Sequence, residues 1–466
     1  MDPLAYHART HPHRAAWERP GRRWTYAALH ARAAGVAQWL RAQTSAAPLR
    51  VALHLPRGPL LAAHLWGIWR AGATAVLLNR RAPLPELRER LQAVDARLLF
   101  STDEALRAAA RNANMAAHAP LDTTAPSPRG ASLPLDLPAT VVFTSGSTGT
   151  PKAVLHTWGN HFWSARGAHV NMPLRRGDRW LASLPMYHVG GLAIVIRCML
   201  AGATVVEAPD APLHQSLQAM RATHVSMVTT QFRRCLQALR TPPAPLRAVL
   251  LGGGPLPNDL LMEGHAAGWP VHASYGSSEM ASQITTTPPG AAPDALRTAG
   301  RVLPYRALRI ATTGEIQVRG RPLFRGYLQP DGSLDPARTA DGWFQTRDRG
   351  RLDDDNRLHV LGRLDRMFVS GGENIQPEAI ERVLHALDDI THAAVVDVPD
   401  ATYGARPVAF VAAAAWRPAA WRRALARRLP RYMTPDAFLP WPAEAHNGLK
   451  VAYDGLRARA IAARAE

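Results

Sequence analysis

The sequence predicts an α/β protein. A large N-terminal domain of mostly parallel βαβ subdomains plus a β-rich subdomain is expected, followed by a small α+β domain at the C-terminal end. Three observations carry that expectation. The chain has 466 residues, too many for one compact core. Up to about residue 310, short apolar runs alternate with helix-length segments, the rhythm of βαβ units. From about residue 313 the texture changes to short strands, Gly/Asp turns and alternating polarity, as in antiparallel β structure.

Taken in order, residues 24–41 space their apolar side chains as a helix does, "RVALHL" (50–55) reads as a buried strand, 57–72 as a helix and "ATAVLL" (73–78) as a strand. Further strands are predicted at "TVVFT" (140–144), "RWLASLP" (179–185), "ATVVEA" (203–208), "HVSMVTT" (224–230) and "RAVLLGG" (247–253). A Pro/Ser-rich linker occupies 121–138. "PEAIERVLHAL" (377–387) opens with proline at a helix start and puts Ile380, Val383, Leu384 and Leu387 on one face. "AAWRRALARRLP" (419–430) reads as a second helix of the small domain. The natural cut falls near "GRLDR" (362–366), giving domains 1–363 and 364–466.

Composition excludes several classes. The N-terminus shows no apolar signal region, and the two most apolar stretches are interrupted by Arg70 and Arg197, so no membrane insertion is expected. Cys198 and Cys235 lack metal spacing, and a reducing cytoplasmic setting fits. The formal net charge of +19 raises nucleic acid as a partner. The arginines, however, are spread along the chain without aromatic interleaving or a zinc-finger spacing, so no nucleic-acid partner is expected. Of 55 basic residues only two are lysines, Lys152 and Lys450. Lysine is a slim point charge where arginine is a wide fork, so both positions read as crowded sites.

"TSGSTGTPK" (144–152) follows a predicted strand and supplies Thr144, Ser145, Gly146, Ser147, Thr148, Gly149 and Lys152. Glycines let backbone N–H groups converge on an anion, hydroxyls add donors and lysine adds charge: a phosphate cradle. It is not a Walker A loop, because the glycine spacing differs and alanine follows the lysine. In "ASYGSSEMAS" (273–282), Tyr275 and Gly276 precede a hydroxyl, Ser278, and a carboxylate, Glu279, suited to Mg²⁺. Asp348 in "TRDRGRL" can accept both hydroxyls of a ribose; by itself it reads more readily as part of an Arg–Asp–Arg surface ion network.

The order of these motifs, continued by "GRLDRMFVSGGENIQPEAIE" and a terminal "NGLK", resembles the acyl-adenylate-forming superfamily of acyl- and aryl-CoA ligases, luciferases and nonribosomal adenylation domains. That resemblance covers nearly the whole chain. It implies ATP, Mg²⁺ and coenzyme A, and a mobile C-terminal domain. Residues 144–152 would hold the β/γ-phosphates, Tyr275 would stack near adenine, Ser278 would serve phosphate and Glu279 Mg²⁺. Asp348 and Arg363 would contact ribose. Asp365 would be the hinge, Lys450 would reach the α-phosphate, and Gly371, Gly372 and Glu373 would line the thioester-forming face. The superfamily more often has threonine at the place of Ser278.

"TRD" in place of the commoner "TGD", together with "THVSMVTTQFRRCL" and the compact length, is similar to the o-succinylbenzoate–CoA ligases of menaquinone biosynthesis. That similarity implies an aromatic acid substrate, with His188 at the aryl pocket and Arg234, or less favourably Arg233, on the ring carboxylate. A core histidine and a solvated helix arginine are the plainer readings of these residues. Another aryl- or acyl-CoA ligase, and a stand-alone adenylation enzyme loading a carrier protein, stay open, as does a homodimer.

Overall fold

The computed structural model describes residues 2–43, 49–126, 132–144, 151–208, 210–443, 445–447 and 450–465. They form an α/β protein of two compact units. One comprises Met1–Gly253, Met262–Leu308 and Val318–Phe344; the other comprises Gly254–Leu261, Arg309–Gln317 and Gln345–Glu466.

The first unit holds two large sheets. In one, the strands Arg50–His54, Thr74–Leu77, Leu98–Ser101, Ala116–His118 and Pro138–Thr144 run parallel. Lys152–Thr157, Gly326–Leu328 and Leu334–Asp335 extend its edge antiparallel. In the other, Arg179–Leu181, Thr204–Val206, His224–Met227, Ala248–Leu251 and Val271–Ser277 are parallel, and Ser282–Thr286 turns back antiparallel on the last of these. Helix Pro59–Arg70 is buried over nearly its whole length, which explains its almost uniformly apolar sequence. Its Trp66 and Trp69 pack with Trp158 in the largest core cluster.

Most predicted strands appear, some shortened. "HVSMVTT" ends as a strand at Met227, and Thr229–Ala238 is a helix. The Gln231 side chain accepts the Val228 N–H at 3.1 Å, and that local cap outweighs the β-branched propensity of the run. The strands Ala15–Arg19, Arg22–Thr25 and Lys152–Thr157 were not anticipated.

In the second unit, Ile390–Asp400, Gly404–Ala413 and Ala437–Pro440 form a sheet. Helix Pro377–His385 lays Ile380, Val383 and Leu384 into its core as predicted. The antiparallel pair Phe344–Leu352 and Leu358–Arg363 lies mostly in this unit. Among the described residues, no helix is long and apolar enough to cross a membrane.

Candidate active site

The residues that bracket the hydroxyl/glycine loop are paired strand to strand, Thr144 opposite Lys152. Ser145, Gly146, Ser147, Thr148 and Gly149 lie outside the described residues. The Lys152 ammonium stands 4.8 Å from the centre of the Tyr327 ring, a cation–π distance. Tyr327 sits on the strand that pairs with Lys152–Thr157, opposite Val154. Its hydroxyl donates to Glu279 Oε1 at 2.8 Å, and the backbone N–H of Phe324 donates to the Glu279 carbonyl at 2.7 Å. Two sequence-predicted residues, Lys152 and Glu279, therefore meet on one tyrosine that sequence reasoning missed. Its local context, "FRGYL", carries no polar pattern that would have marked it.

The turn bearing Glu279 is held from beneath. His156 Nε2 lies 2.7 Å from the Ser278 carbonyl, so that nitrogen carries the proton and donates. His156 and His161 are fully buried with ring centres 4.8 Å apart, and His161 Nε2 is 2.7 Å from the Thr140 hydroxyl. Burial pushes the His156 imidazole down to about 4 and His161 well below the usual range. Both are neutral at physiological pH. Gly276 faces a backbone neighbour so close that a Cβ would stand 2.0 Å from the Ser282 carbonyl oxygen. Only glycine fits there, beside the half-buried Tyr275.

On the side predicted to take the acid, His188 is half-buried at the N-cap of helix Val189–Ala201, 4.6 Å from the Tyr187 ring. Arg234 is exposed on helix Thr229–Ala238 and Arg233 is half-buried. A different arginine stands out. Arg197 is buried on the helix that His188 caps, over Trp180 at 5.4 Å, with one bond to Ser282 Oγ at 3.2 Å. Its Nε has no partner, and among the described residues no carboxylate pairs with it. Burial pushes its guanidinium down to about 10. Buried Arg306 donates to the carbonyls of Gln283, Ser164 and Trp163. Burial, with the charge of Arg197, pushes it down to about 9. Among the described residues neither guanidinium pairs with a carboxylate; carbonyls satisfy Arg306, whereas Arg197 keeps an unbonded Nε, which is costly for a buried cation. In the sequence Arg197 showed only as a break in an apolar run.

In the second unit, Arg363 reaches Asp348 Oδ1 at 3.2 Å and clasps Asp365 at 2.9 and 2.5 Å. Burial alone would lower the Arg363 guanidinium, but the Asp365 bond and the Asp348 charge outweigh it and raise it above its ordinary value. Burial alone would raise Asp365; the Arg363 bond and charge, with the charge of Arg347, hold it below the usual carboxylate range. Thr346 Oγ1 donates to the Ile316 carbonyl and accepts the Asp348 N–H, fixing the turn. Arg347 takes φ +59°, a left-handed conformation that costs a non-glycine residue about 1–2 kcal/mol. Glycine in the commoner "TGD" form has a physical reason. Gly371 (φ +59°) and Gly372 (φ +84°) make the turn of the hairpin Phe368–Ser370/Glu373–Ile375, as two-residue hairpins demand. The backbone of Lys450 pairs with Asn447 in a short hairpin; its side chain lies outside the described residues.

The first unit therefore brings Thr144, Lys152, Ser278 and Glu279 together, and the second joins Asp348, Arg363 and Asp365. One carboxylate steadied by a neutral donor suits Mg²⁺ carried in on phosphate oxygens, because that ion takes only one or two protein carboxylates.

The sequence profile of the AMP-binding enzymes matches residues 4–328, and that of their C-terminal domain matches residues 379–444. A 2-succinylbenzoate–CoA ligase of Bacillus pumilus is 33% identical over 435 residues, covering 88% of this chain and 87% of that protein. The o-succinylbenzoate CoA synthetase of Bacillus subtilis, solved with its acyl-adenylate intermediate, superimposes with a TM-score of 0.90 at 28% identity, over 98% of each chain. The same enzyme solved with ATP and magnesium gives 0.89, covering 98% of this chain and 99% of that one at the same identity.

Proposed function

The chain belongs to the AMP-binding enzyme family, and from that premise we propose that it is an AMP-forming acid–CoA ligase. It converts o-succinylbenzoate, ATP and coenzyme A to o-succinylbenzoyl-CoA, AMP and pyrophosphate, in the cytoplasm, as a step of menaquinone synthesis. The observation that carries the reading is the convergence of Lys152, the last residue of the hydroxyl/glycine motif, and Glu279 on Tyr327.

In the first half-reaction a substrate carboxylate attacks the α-phosphorus of ATP. The new C–O–P anhydride forms as the bond to pyrophosphate breaks. Lys152 and residues 144–149 hold the β/γ-phosphates, and Glu279 holds Mg²⁺, which neutralises phosphate charge when bound. Tyr275 and Gly276 flank adenine, Ser278 serves phosphate, and Asp348 with Arg363 takes the ribose. Lys450 meets the charge gathering on phosphorus, where a slim ammonium is most effective. In the second half-reaction the CoA thiolate attacks the acyl carbonyl and AMP leaves, with Gly371, Gly372 and Glu373 at the thioester-forming face. The two geometries alternate as residues 364–466 swing about Asp365.

His188 borders the aromatic ring. Arg234, less favourably Arg233, and now Arg197 are the candidates for the ring carboxylate, and burial with no carboxylate among the described residues favours Arg197. The test is acid-dependent ATP–pyrophosphate exchange with o-succinylbenzoate, benzoate, a hydroxybenzoate, a medium-chain fatty acid and several amino acids, followed by a CoA chase. Preference for o-succinylbenzoate with conversion to its thioester is expected. Preference for another acid keeps the mechanism and discards the substrate. Exchange without turnover of free CoA favours a carrier-loading adenylation enzyme.

A further inference from the structure

Arg366, the residue after the predicted hinge, ends the short 3-10 turn Leu364–Arg366. Its guanidinium donates to Glu378 Oε1 at 2.7 Å and to both oxygens of Glu381 at 2.7 and 3.3 Å. It also donates to the Val395 carbonyl at 2.9 Å. Both carboxylates are buried, and Glu381 Oε1 also accepts the Val395 N–H at 2.7 Å. So many bonds to one planar fork fix the group in orientation as well as in position.

One face of that fork is covered by Tyr453, whose ring centre lies 3.6 Å from the guanidinium carbon. Tyr453 opens helix Tyr453–Ala465, three residues beyond Lys450. The helix is tied down elsewhere by Arg457 on Asp397 at 2.9 Å, by Arg464 on Asp436 at 2.7 Å, and by buried Leu456 and Ala460. Those ties hold it to the sheet. The Arg366–Tyr453 contact does something else: it joins the start of the helix to the residue next to the one at which the chain would pivot. Between Tyr453 and Lys450 the backbone is also fixed, with the Ala452 N–H donating to the Ala445 carbonyl at 2.8 Å.

We propose that Tyr453, stacked on Arg366, is a positioning residue for adenylation: it couples the hinge turn to the strand that carries Lys450, so that rotation about Asp365 delivers the Lys450 backbone as part of one rigid body. The inference rests on the reading of Lys450 and Asp365 given above. Burial, then the charge of Glu381, raises the Tyr453 phenol above its ordinary value, so the ring is neutral and its face available to the cation throughout the working range. Tyr453 touches no reacting atom in this scheme; it acts through where the backbone of Lys450 is held.

The two half-reactions separate this role from a structural one, because the thioester step does not use Lys450. Tyr453→Leu keeps apolar volume and removes the ring. Tyr453→Phe keeps the ring and is the conservative rescue. Adenylation is read as acid-dependent ATP–pyrophosphate exchange, and thioester formation is read from supplied acyl-adenylate and CoA, in the same full-length preparations. A displacement of about 1 Å at a reacting group costs on the order of a hundredfold. Tyr453→Leu is therefore expected to slow exchange roughly ten- to a hundredfold while thioester formation stays within about threefold, and Tyr453→Phe to restore exchange.

If both half-reactions fall together with thermal stability, the residue is merely structural and the proposal is overturned. Unchanged exchange in Tyr453→Leu overturns it too. Should Tyr453→Leu fail to fold, Arg366→Lys, which keeps the charge but loses the stacking fork, is expected to give the same split, and its absence has the same force. Lys450→Ala, measured in parallel, tells the two failures apart. If it abolishes exchange while Tyr453→Leu does not, only the coupling is wrong. If it leaves exchange intact, the role of Lys450 falls and the coupling with it.

Discussion

The surroundings of Glu279 and those of Arg366 hold predicted functional residues by opposite means. Around Glu279 the supports are neutral: a tyrosine hydroxyl, a backbone N–H, and two buried histidines that burial keeps uncharged. Around Arg363 and Arg366 the supports are ion pairs, with Asp348, Asp365, Glu378 and Glu381 gathered on two guanidinium forks. The first arrangement is set by packing and leaves charge for the ligand to supply. The second is self-neutralising, and its pairs can exchange partners, which suits a segment read as a hinge. Among the described residues Arg197 has no carboxylate and an unbonded Nε, and that imbalance is the ground for proposing it as the partner of the acid's ring carboxylate.

The sharpest contrast is catalytic. Lys450→Ala is expected to slow pyrophosphate exchange about 10²–10³-fold while ATP binding, measured by calorimetry, is largely kept; near wild-type exchange would refute the assignment. Next in size is the acid pocket. Arg197→Met should raise the KM for o-succinylbenzoate roughly ten- to a hundredfold, the worth of a charge-assisted bond, with little change for a monocarboxylate. It should also raise the melting temperature, because an unpaired buried cation is removed. Arg234→Ala run beside it decides between the two: selective loss there, with Arg197→Met silent, would return the role to Arg234.

The two regions should also part in acid. The unfolded chain protonates histidine near 6.5, whereas native His156 does so only at about 4. Below 6.5 the unfolded state therefore binds more protons. The stability that His156 contributes is full above 6.5 and is lost as pH falls toward 4. Asp365 is depressed in the native state, so its contribution is present above the unfolded carboxylate range and is lost only as pH falls below it. Thermal melts against pH should show His156→Gln flattening the slope between 6.5 and 4, and Asp365→Asn flattening it only at lower pH. Identical profiles for the two variants would break the comparison. The smallest effect is expected of Arg347→Gly: relief of the left-handed strain, less the entropy that glycine gains in the unfolded chain, leaves a stabilisation within about 1 kcal/mol. A lower melting temperature would show that Arg347 contacts outweigh the strain.

Much of this was legible in the residues. The α/β class, most strands of the first unit and the apolar face of helix Pro377–His385 follow from local periodicity, and periodicity survives folding wherever burial agrees with it. At "SGGE" the sequence showed only a texture of Gly/Asp turns, and the hairpin itself came with the fold. The "HVSMVTT" run misled because a single side-chain cap, Gln231 on Val228, ended the strand early. Tyr327 and Arg197 were illegible for another reason: nothing beside them in the chain states their role. Tyr327 meets Lys152 and Glu279 only because two paired strands of one sheet and a turn of the other, far apart in sequence, come together.

By itself the sequence determined the chemistry available: a hydroxyl/glycine loop with one of two lysines, a carboxylate for a hard cation, an acidic residue for ribose, and their order along the chain. Side-chain type and local spacing are properties of the covalent chain, so these needed no fold. The tertiary structure alone decided which groups share a charge, which histidines are neutral, and which arginine among so many is buried with no carboxylate among the described residues. Those are consequences of desolvation and of contacts between distant segments, and neither exists until the chain has closed on itself.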